Sequence, residues 1–524
     1  MILNNTFKNV GMDYCLSLLD IKTPYAREKL NNLKLFKDVE ELNRQYDYIE
    51  FLISFIKNNS SHYNNILSLL ECTKEIRTSI KRAQAGAVLE VSELFEIKNF
   101  LINIREIYKI QVDNNFLEDL KLFRIKDIED LLDIEGQNSR SFYIYDSYSE
   151  KLKKIRFEIK ECKQKLNRLR QEKIRYIENK YAVKVKQNNE LVISKEDKLI
   201  DEALKDQNLK KVLSTPYYVI FSIELRDEGE RIEQYIQTLI SEEEREEYSI
   251  RQYISERIKD RAEDFYKLTN LVGEFEILLE KASLAIKTSS VRPVIVEDTE
   301  VNILNGRHIK VEHELLKKGL KYTPISINLK KGSTVITGVN MGGKTVSLKL
   351  IGLLCMMAQM GFFVPCEELK TCLFDYYFCE AGDMQSLDTG LSTFGAEIVA
   401  LNEAVKYKDL RGLVLIDEIA RGTNPKEGRA ILKAILSYFN KTKSIAVVTT
   451  HFDGVDDEAR HYEVVGLKIN SSLESISLKE LNLYMDYSLR EVYGKYEVPK
   501  DAIKVARLLG FDSDILNLAE KYLD

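Results

Sequence analysis

The chain has 524 residues, and its 77 Lys and Arg residues against 83 Asp and Glu residues give a net charge of −6. This balance excludes a global basic field that would recruit nucleic acid or anionic lipid, so binding to DNA would need a local basic patch. The longest apolar run, Ile351 to Pro365, contains Gln359 and is shorter than the roughly 20 residues of a membrane span. We therefore expect no membrane partner.

Cysteine use indicates a reducing compartment. The seven cysteines are an odd number, none forms a C-x-x-C motif, and the chain lacks a signal peptide, which predicts a cytoplasmic protein. Cys366, Cys372 and Cys379 are clustered, but their spacing matches no common zinc pattern. We expect these three residues to be buried structural thiols.

Glycine divides the chain into two parts. Of the 23 glycines, 5 lie in residues 1–300 and 18 in residues 301–524. Long, charged helices with periodic Leu and Ile are predicted for the first part. The second part is predicted to be an α/β domain with short glycine-containing connections.

Two segments of the helical part have opposite charge. Lys151 to Arg175 contains 11 basic and 3 acidic residues, and Glu224 to Glu247 contains 10 acidic and 3 basic residues. Their positions predict an antiparallel helical hairpin, with a short β element at its tip from Tyr181 to Ser194 and from Tyr217 to Ile223. Two interpretations stay open: ion pairs between the segments that set the register of the hairpin, or a basic stripe that binds DNA.

A glycine-rich motif in the second part predicts a site for a nucleoside triphosphate. The sequence GVNMGGKT at 338–345 fills the pattern G-x-x-x-x-G-K-[ST] completely. Backbone N–H groups around Gly338, Gly342 and Gly343 can surround phosphates, Lys344 can reach the β and γ oxygens, and the Thr345 hydroxyl can ligate Mg²⁺. The flanking sequence supplies the required context, with a buried strand at 334–336 and a buried helix at 346–358.

Two acidic residues and a histidine follow further predicted strands. The sequence LVLIDE at 413–418 places Asp417 and Glu418 at the end of an apolar strand. Asp417 is expected to hold Mg²⁺, and Glu418 to be the base that orients the attacking water. His451 follows the predicted strand from Ile445 to Thr449 and is expected to contact the γ-phosphate or its water.

Together these motifs closely resemble those of the MutS family of ABC-type ATPases. The resemblance rests on TGVNMGGKT at 337–345, GLSTFGAEI at 390–398, LVLIDEIARGTNPKEG at 413–428 and TTHF at 449–452, and more loosely on nearly the whole chain. It implies ATP and Mg²⁺ as ligands. It also implies a dimer, with an identical or a related subunit, in which Ser392 reaches the γ-phosphate bound by the other subunit.

The resemblance assigns further residues of the nucleotide site. Tyr322 matches an aromatic residue that stacks on adenine, and Asn340 lies beside the phosphates. Val339 departs from the family, which usually has proline there, and should loosen the loop slightly without removing a ligand. The expected nucleotide-binding residues are Tyr322, Gly338, Asn340, Met341, Gly342, Gly343, Lys344, Thr345 and Val346; the catalytic residues are Glu418, His451 and, in trans, Ser392; the Mg²⁺ ligands are Thr345 and Asp417.

The expected fold is multidomain, with an all-α lever and core domain, a small β-containing clamp at the tip of the levers, and an α/β P-loop ATPase domain of the ABC type. The expected limits are 1–140 for the helical core, 141–260 for the antiparallel lever arms with the clamp near 181–223, 261–300 for a returning core helix, 301–480 for the ATPase domain, and 481–524 for a C-terminal helical dimerisation segment.

Two modules of other MutS proteins are not expected here. Mismatch-repair members read the mispaired base with a Phe-x-Glu wedge, but Phe116 and Glu118 lie in helical sequence without the glycine context of the wedge. A second bacterial type, similar to this chain in the helical part, carries a C-terminal nuclease module, whereas the sequence here ends after a helical segment. The resemblance therefore implies an ATPase with arms and without a mismatch-reading or nuclease domain.

Two kinds of macromolecule remain as the client, the partner on which such an ATPase would act. The preferred one is an adenosylcobalamin-dependent aminomutase, such as lysine aminomutase, which MutS-like ATPases reactivate by driving out damaged cofactor. The core-only architecture, the GLSTFGAEI and VPKDAI segments and the acidic chain resemble that group. The alternative is double-stranded DNA, mismatched, branched or recombining, held by a MutS-type clamp without nuclease activity. The basic segment from Lys151 to Arg175 favours the alternative.

Overall fold

The computed structural model describes residues 1–186, 188–338, 343–381, 393–420, 423–452, 454, 459–467, 485–493 and 502–522. Its α-helices are α1 (Thr6–Asn9), α2 (Met12–Ser17), α3 (Pro24–Asn31), α4 (Val39–Asn58), α5 (Ser60–Glu71), α6 (Arg77–Gln84), α7 (Val91–Asp113), α8 (Lys126–Leu132), α9 (Glu150–Tyr181), α10 (Ile200–Lys205), α11 (Glu228–Asp260), α12 (Ala262–Lys287), α13 (Ile309–Lys317), α14 (Lys344–Gln359), α15 (Thr393–Val405), α16 (Pro425–Asn440), α17 (Ala502–Leu508) and α18 (Ser513–Lys521). Its strands are β1 (Glu190–Ser194), β2 (Leu209–Ser214), β3 (Tyr218–Ile223), β4 (Val294–Ile295), β5 (Glu300–Gly306), β6 (Ile325–Lys330), β7 (Gly332–Thr337), β8 (Glu368–Thr371), β9 (Tyr376–Glu380), β10 (Gly412–Asp417), β11 (Ile445–Thr449), β12 (Arg460–Leu467) and β13 (Met485–Val492).

A six-stranded sheet forms the centre of the C-terminal part of the chain. Its strand order is β13-β12-β7-β11-β10-β9, and neighbouring strands are parallel except for β12 and β13, which are antiparallel. Strands of a parallel sheet that is covered on both faces consist of continuous apolar residues, and every residue of β11 is buried. The strand and the helix expected around the glycine-rich motif lie within β7 and α14.

Both faces of this sheet are covered by helices. Successive strand residues point to opposite faces, so Leu413 packs in a cluster with α14, whereas Val414 packs in a second cluster with α15 and α16. Almost all residues of α14 are buried, and each fully buried leucine contributes about 1.5–3 kcal/mol to the stability. Helix α14 is therefore held firmly against the sheet at the end of β7.

The chain divides into two compact units. The first comprises Met1–Glu71, Asn114–Leu120 and Leu271–Asp524, and contains the six-stranded sheet and a four-stranded sheet of order β4-β8-β5-β6. Residues 485–492, which the sequence placed in a helical segment, form strand β13 at the edge of the larger sheet. The protein thus combines many helices with several sheets, while the domain limits expected from the sequence stay predictions.

The second unit comprises Cys72–Asp113 and Lys121–Asn270. It contains a pair of long helices, α9 and α11, between which Ile155, Ile159 and Leu239 form an apolar cluster. Lys151 at the start of α9 pairs with Glu246 towards the end of α11, so the helices are antiparallel. The ion pairs between the two helices are Lys151–Glu246 (3.0 Å), Arg156–Glu243 (2.7 Å), Arg156–Glu247 (2.5 Å), Lys165–Glu228 (2.8 Å) and Arg170–Glu233 (3.4 Å).

The tip of this helix pair carries a three-stranded sheet of order β1-β3-β2. Strand β3 agrees with the β element predicted at 217–223, but the prediction that started at Tyr181 was wrong, because β1 begins only at Glu190. Tyr181 instead ends α9, where it is buried and donates a hydrogen bond to Asp206 at 2.8 Å. Ala182 then leaves the helix with a φ of 52°.

The five cysteines of the first unit are free, and all five are buried. Burial raises the pKa of the Cys366 and Cys379 thiols to about 12 and that of Cys372 to about 11, as for inert structural thiols. Within the described part of the chain, no group of three or more His, Cys, Asp or Glu residues is arranged to hold a metal ion. No helix in that part combines the length and the apolar character needed to cross a membrane.

Candidate functional site

The predicted ligands meet at one edge of the six-stranded sheet. Strands β7, β11 and β10 are adjacent and parallel, so their carboxyl ends lie side by side, where ligands of open α/β sheets bind. The segments that directly follow these strands carry Gly338, His451 and Glu418. The fold therefore brings together residues that are up to 113 positions apart in sequence, 338 to 451.

The described part of the phosphate loop has backbone conformations that favour glycine. Gly338 and Gly343 have φ angles of 138° and 85°, which L-residues with a Cβ atom adopt at a cost. A Cβ atom on Gly338 would also lie 3.0 Å from Val464. Lys344 begins α14 with its side chain only 4% exposed, and its Nζ donates to the Gly338 carbonyl at 2.8 Å. The lysine is thus held inside the loop that would surround the phosphates.

A hydroxyl and a carboxylate lie together beside the loop. Thr345 Oγ1 donates to Asp417 Oδ2 at 2.7 Å, and Thr449 Oγ1 donates to Asp417 Oδ1 at 2.6 Å. Hard oxygen donors of this kind are the ligands that Mg²⁺ takes from proteins, usually one or two of them together with substrate phosphates. The side chains present therefore fit a Mg²⁺–nucleotide complex at Thr345 and Asp417.

Glu418 is directed into the same site. Its side chain is 5% exposed, and its backbone N–H donates to the Thr449 carbonyl at 3.2 Å and to Thr449 Oγ1 at 3.0 Å. One carboxylate oxygen lies 3.3 Å from Lys344 Nζ, and the other lies 3.8 Å from Nδ1 of His451. His451 itself is 45% exposed and its ring lies against Phe452. A buried carboxylate therefore faces the lysine, with a solvent-accessible histidine at the rim.

The other predicted residues make no described hydrogen bond or ion pair with this cluster or lie outside the described part of the chain. Tyr322 precedes β6 and has a buried hydroxyl; burial raises its pKa to about 12, with Glu312 and Arg307 as charged neighbours. Val346 is half-buried in the first turn of α14. Asn340, Met341, Gly342 and Ser392 lie outside the described residues, as does Val339.

Two residues near the site received no role from the sequence, although Glu397 lies within the GLSTFGAEI segment. Tyr487 on β13 lies against the phosphate loop, because a Cβ atom on Gly343 would be 3.0 Å from its Cδ1 atom. Glu397 on α15 accepts a hydrogen bond from the N–H of Ala420 at 3.0 Å. The alternation of residues 485–492 could have indicated a strand, but no local pattern connects either residue to the loop.

A model of a known protein family matches the part of the chain that contains this cluster. Residues 334–524 match the family model MutS domain V. The match begins in β7, covers the phosphate loop and extends over Asp417, Glu418 and His451. MutS domain V is the ATPase domain of its family, so the residues gathered at the sheet edge lie in a part of the chain that resembles an ATPase.

Relatives of the chain extend beyond MutS domain V. The chain is 27% identical over 546 aligned positions to the Endonuclease MutS2 of Caldanaerobacter subterraneus and 28% identical to that of Caldicellulosiruptor saccharolyticus, with 99% of this chain covered in both. It is 27% identical to the Endonuclease MutS2 of Halothermothrix orenii over 80% of this chain. The alignments cover 64%, 64% and 55% of those relatives, so the chain spans less than two thirds of their length.

Proposed function

We propose that this chain is a MutS-family ATPase that hydrolyses ATP with Mg²⁺ and uses the reaction to change its hold on DNA. The observation that carries the ATPase part is the cluster of Lys344, Thr345, Asp417 and Glu418 at the ends of adjacent strands, with Thr345 Oγ1 and Asp417 Oδ2 2.7 Å apart. Bound Mg²⁺ would neutralise charge that develops on the transferred phosphoryl group.

The residues of the cluster have separate tasks in this proposal. Lys344 binds the β- and γ-phosphates, and Thr345 and Asp417 hold the metal ion. Glu418 accepts a proton from the attacking water, with His451 beside it at the rim of the site. Tyr487, whose ring lies against the loop, and Tyr322 supply aromatic surface for the nucleotide.

ATP turnover by the purified chain tests this part of the proposal. Mg²⁺-dependent release of phosphate from ATP is expected, and chelation of Mg²⁺ or the substitution Lys344→Ala should abolish it. As a matched control, Lys349→Ala changes a half-buried lysine on the same helix that no predicted role includes. An absence of ATP binding by the unaltered chain would contradict the ATPase proposal.

The dimer is proposed from the family resemblance and is tested through Ser392. Ser392→Arg would place a large cation where the γ-phosphate of the other subunit is expected. It should leave ATP binding to each subunit intact while abolishing ATP-dependent association and turnover. Size-exclusion chromatography with light scattering, with and without ATP, measures the association. Unchanged turnover would refute the composite site.

DNA is the client that the observations favour. The relatives compared above are named endonucleases, which act on nucleic acid, whereas their names give no support to reactivation of an aminomutase. The arm also carries basic charge directed away from the helix pair: Lys153, Lys160 and Arg168 on α9 are exposed and form no ion pair with a described residue. They follow one another at intervals of about two helical turns, and Lys153 and Lys160 lie about 100° around α9 from the buried Leu152 and Ile159 that precede them.

Salt-dependent binding to branched and linear duplex DNA tests the client. A protein that neutralises about 6 to 10 phosphates should lose about 10³ to 10⁵ in affinity between 50 and 200 mM salt. Binding that is absent at low salt would contradict the DNA proposal. In that case, ATP-dependent release of damaged cofactor from an adenosylcobalamin-dependent aminomutase becomes the activity to measure.

A further inference from the structure

The loop that follows Asp417 has an unusual backbone. Glu418 and Ala420 have φ angles of 47° and 66°, in the left-handed region that residues other than glycine enter at a cost of about 1–3 kcal/mol. Both residues are buried. Such a conformation persists only where the surrounding structure determines it, so specific contacts must hold this loop.

Two groups hold the loop from opposite sides. On the side of β11, the N–H of Glu418 is bound by the carbonyl and the hydroxyl of Thr449. On the side of α15, Oε2 of Glu397 accepts the N–H of Ala420 at 3.0 Å. The Ala420 carbonyl in turn accepts bonds from the N–H and the hydroxyl of Thr423. The loop that carries Glu418 therefore also contacts a carboxylate of the GLSTFGAEI segment, to which the sequence assigned no role.

The surroundings of Glu397 favour a strong hydrogen bond between its carboxylate and the Ala420 N–H. Glu397, Glu380 and Asp417 line one small cleft, whose remaining lining residues are apolar or aromatic. The pKa of Glu380 is raised, first by burial and then by the negative charge of Glu397. A hydrogen bond from a backbone N–H to a carboxylate is stronger than one between neutral groups, especially where water is scarce.

We propose that Glu397 is a positioning residue for Glu418: its carboxylate binds the Ala420 N–H and thereby fixes the left-handed turn that directs the Glu418 carboxylate towards Lys344 and His451. This inference rests on the proposed ATPase function. Glu397 itself is not assigned a contact with the nucleotide or with the attacking water. It acts on the rate of hydrolysis through the loop from 418 to 420.

Variants at Glu397 separate its hydrogen bond from its charge and its size. Glu397→Met keeps the length and removes the acceptor, and Glu397→Asp keeps the charge but withdraws the acceptor by one methylene. Both should lower kcat on the order of 10²-fold, because a displacement of about 1 Å at a catalytic group has this effect. Glu397→Gln keeps an oxygen acceptor and should stay within about threefold of the unaltered chain. Glu403→Gln, an exposed change on the same helix, is the matched control.

Three measurements decide the proposal. ATP affinity and melting temperature should be nearly unchanged in all four variants, while kcat falls only in the Met and Asp variants. In a Glu418→Ala background, Glu397→Met should change the residual rate by less than about twofold, because the residue acts only through Glu418. Since Met and Asp remove the bond in different ways, failure of one variant to fold leaves the other to decide.

The results that would contradict the positioning role of Glu397 differ from those that would contradict the ATPase function. Unchanged kcat in the Met and Asp variants overturns the positioning role, as do equal losses in the Gln and Met variants or additive losses in the Glu418→Ala background. Those outcomes leave the ATPase proposal standing, provided that Glu418→Ala itself is defective. A chain that does not hydrolyse ATP, or whose turnover is unaffected by Glu418→Ala, overturns the proposed function and the positioning role together.

Discussion

The nucleotide site and the helix pair of α9 and α11 use charged residues in opposite ways. In the site, Lys344 and Glu418 are 4% and 5% exposed and lie 3.3 Å apart. In the helix pair, Lys165 and Glu228 are 60% and 61% exposed. Removing one partner of a buried pair leaves an uncompensated charge at a cost of about 3–5 kcal/mol, whereas an exposed pair contributes about 0–1 kcal/mol.

This difference in exposure separates the residues that are proposed to act on the nucleotide from those that set the register of the two helices. The site depends on a few contacts that cannot be exchanged, because each side chain is fixed by strand ends and by the backbone of the loops. The helix pair depends on many weak ion pairs, any one of which can be removed while its neighbours keep the helices aligned. Substitutions of the same chemical kind should therefore have unequal effects in the two regions.

The largest effect is expected at Glu418. Glu418→Gln keeps the size of the side chain and removes the base, so ATP hydrolysis should slow by about 10² to 10⁴-fold while ATP affinity is retained. Single-turnover hydrolysis and equilibrium ATP binding measure the two quantities separately. Lys344→Ala should instead weaken ATP binding itself. Equal losses of affinity in both variants would contradict the division of tasks between these residues.

The two regions also differed in how far the sequence predicted them. The proximity of Lys344, Thr345, Asp417 and Glu418 was expected from the sequence, because the phosphate loop and the Asp417–Glu418 pair are contiguous motifs whose chemistry requires fixed spacing, while the roles of these residues stay predictions. Strand β11 was predicted with its observed limits for the same reason: a short apolar run directly before His451. Local sequence was sufficient where contiguous residues determine the local geometry.

Contacts between distant segments were not predictable in the same way. Glu397 and Tyr487 reach the site through α15 and β13; Glu397 lies in a quoted motif, but its spacing from Ala420 does not indicate their hydrogen bond, and no pattern relates Tyr487 to Gly343. The β element was predicted too early, at Tyr181, because periodicity does not show that α9 continues to Tyr181 and ends where Ala182 takes a positive φ. Charge complementarity was the long-range signal that did indicate a contact, that of α9 with α11.

The next largest effect is expected at Lys281, a buried ionisable residue outside the site. Lys281 on α12 is buried; its Nζ donates to the Met360 carbonyl at 2.8 Å and lies 4.4 Å from the centre of the Phe362 ring. Burial lowers its pKa to about 7. Between pH 7 and about 10, the unfolded chain therefore binds more protons at this residue than the folded chain, and stability should rise with pH.

Lys281→Met removes this dependence. The difference in free energy of unfolding between the unaltered chain and the variant should change by about 1.4 kcal/mol per pH unit in that interval, in favour of the unaltered chain as pH rises. Chemical denaturation at several pH values measures it. Lys287→Met, an exposed change on the same helix, should give a constant difference. A constant difference for Lys281→Met as well would show that the lysine is not titrating there.

A smaller effect is expected for Arg156 in the helix pair. This residue is 26% exposed and bonds to carboxylates of Asp146, Glu243 and Glu247. Arg156→Glu should lower the stability by about 2 kcal/mol, because it replaces several attractions by repulsions in a partly buried network. Lys165→Glu, at an exposed single pair, should lower the melting temperature much less. Equal shifts of melting temperature would mean that the register does not depend on the Arg156 network.

The smallest effect on stability is expected for the outward-facing basic residues of α9. Lys153, Lys160 and Arg168 form no ion pair with any described residue, so reversing all three to Glu should change the stability by about 0.5 kcal/mol or less. Their effect on DNA should be large, because the triple variant removes three positive charges from one side of the helix and adds three negative ones. The slope of log affinity against log salt should fall by about 0.9 for each phosphate that the protein no longer neutralises. Lys165→Glu, which reverses a paired charge on the same helix, controls for a charge reversal outside this surface. If the triple variant binds DNA as the unaltered chain does, this surface does not bind DNA. The basic charge of α9 then serves only to pair with α11.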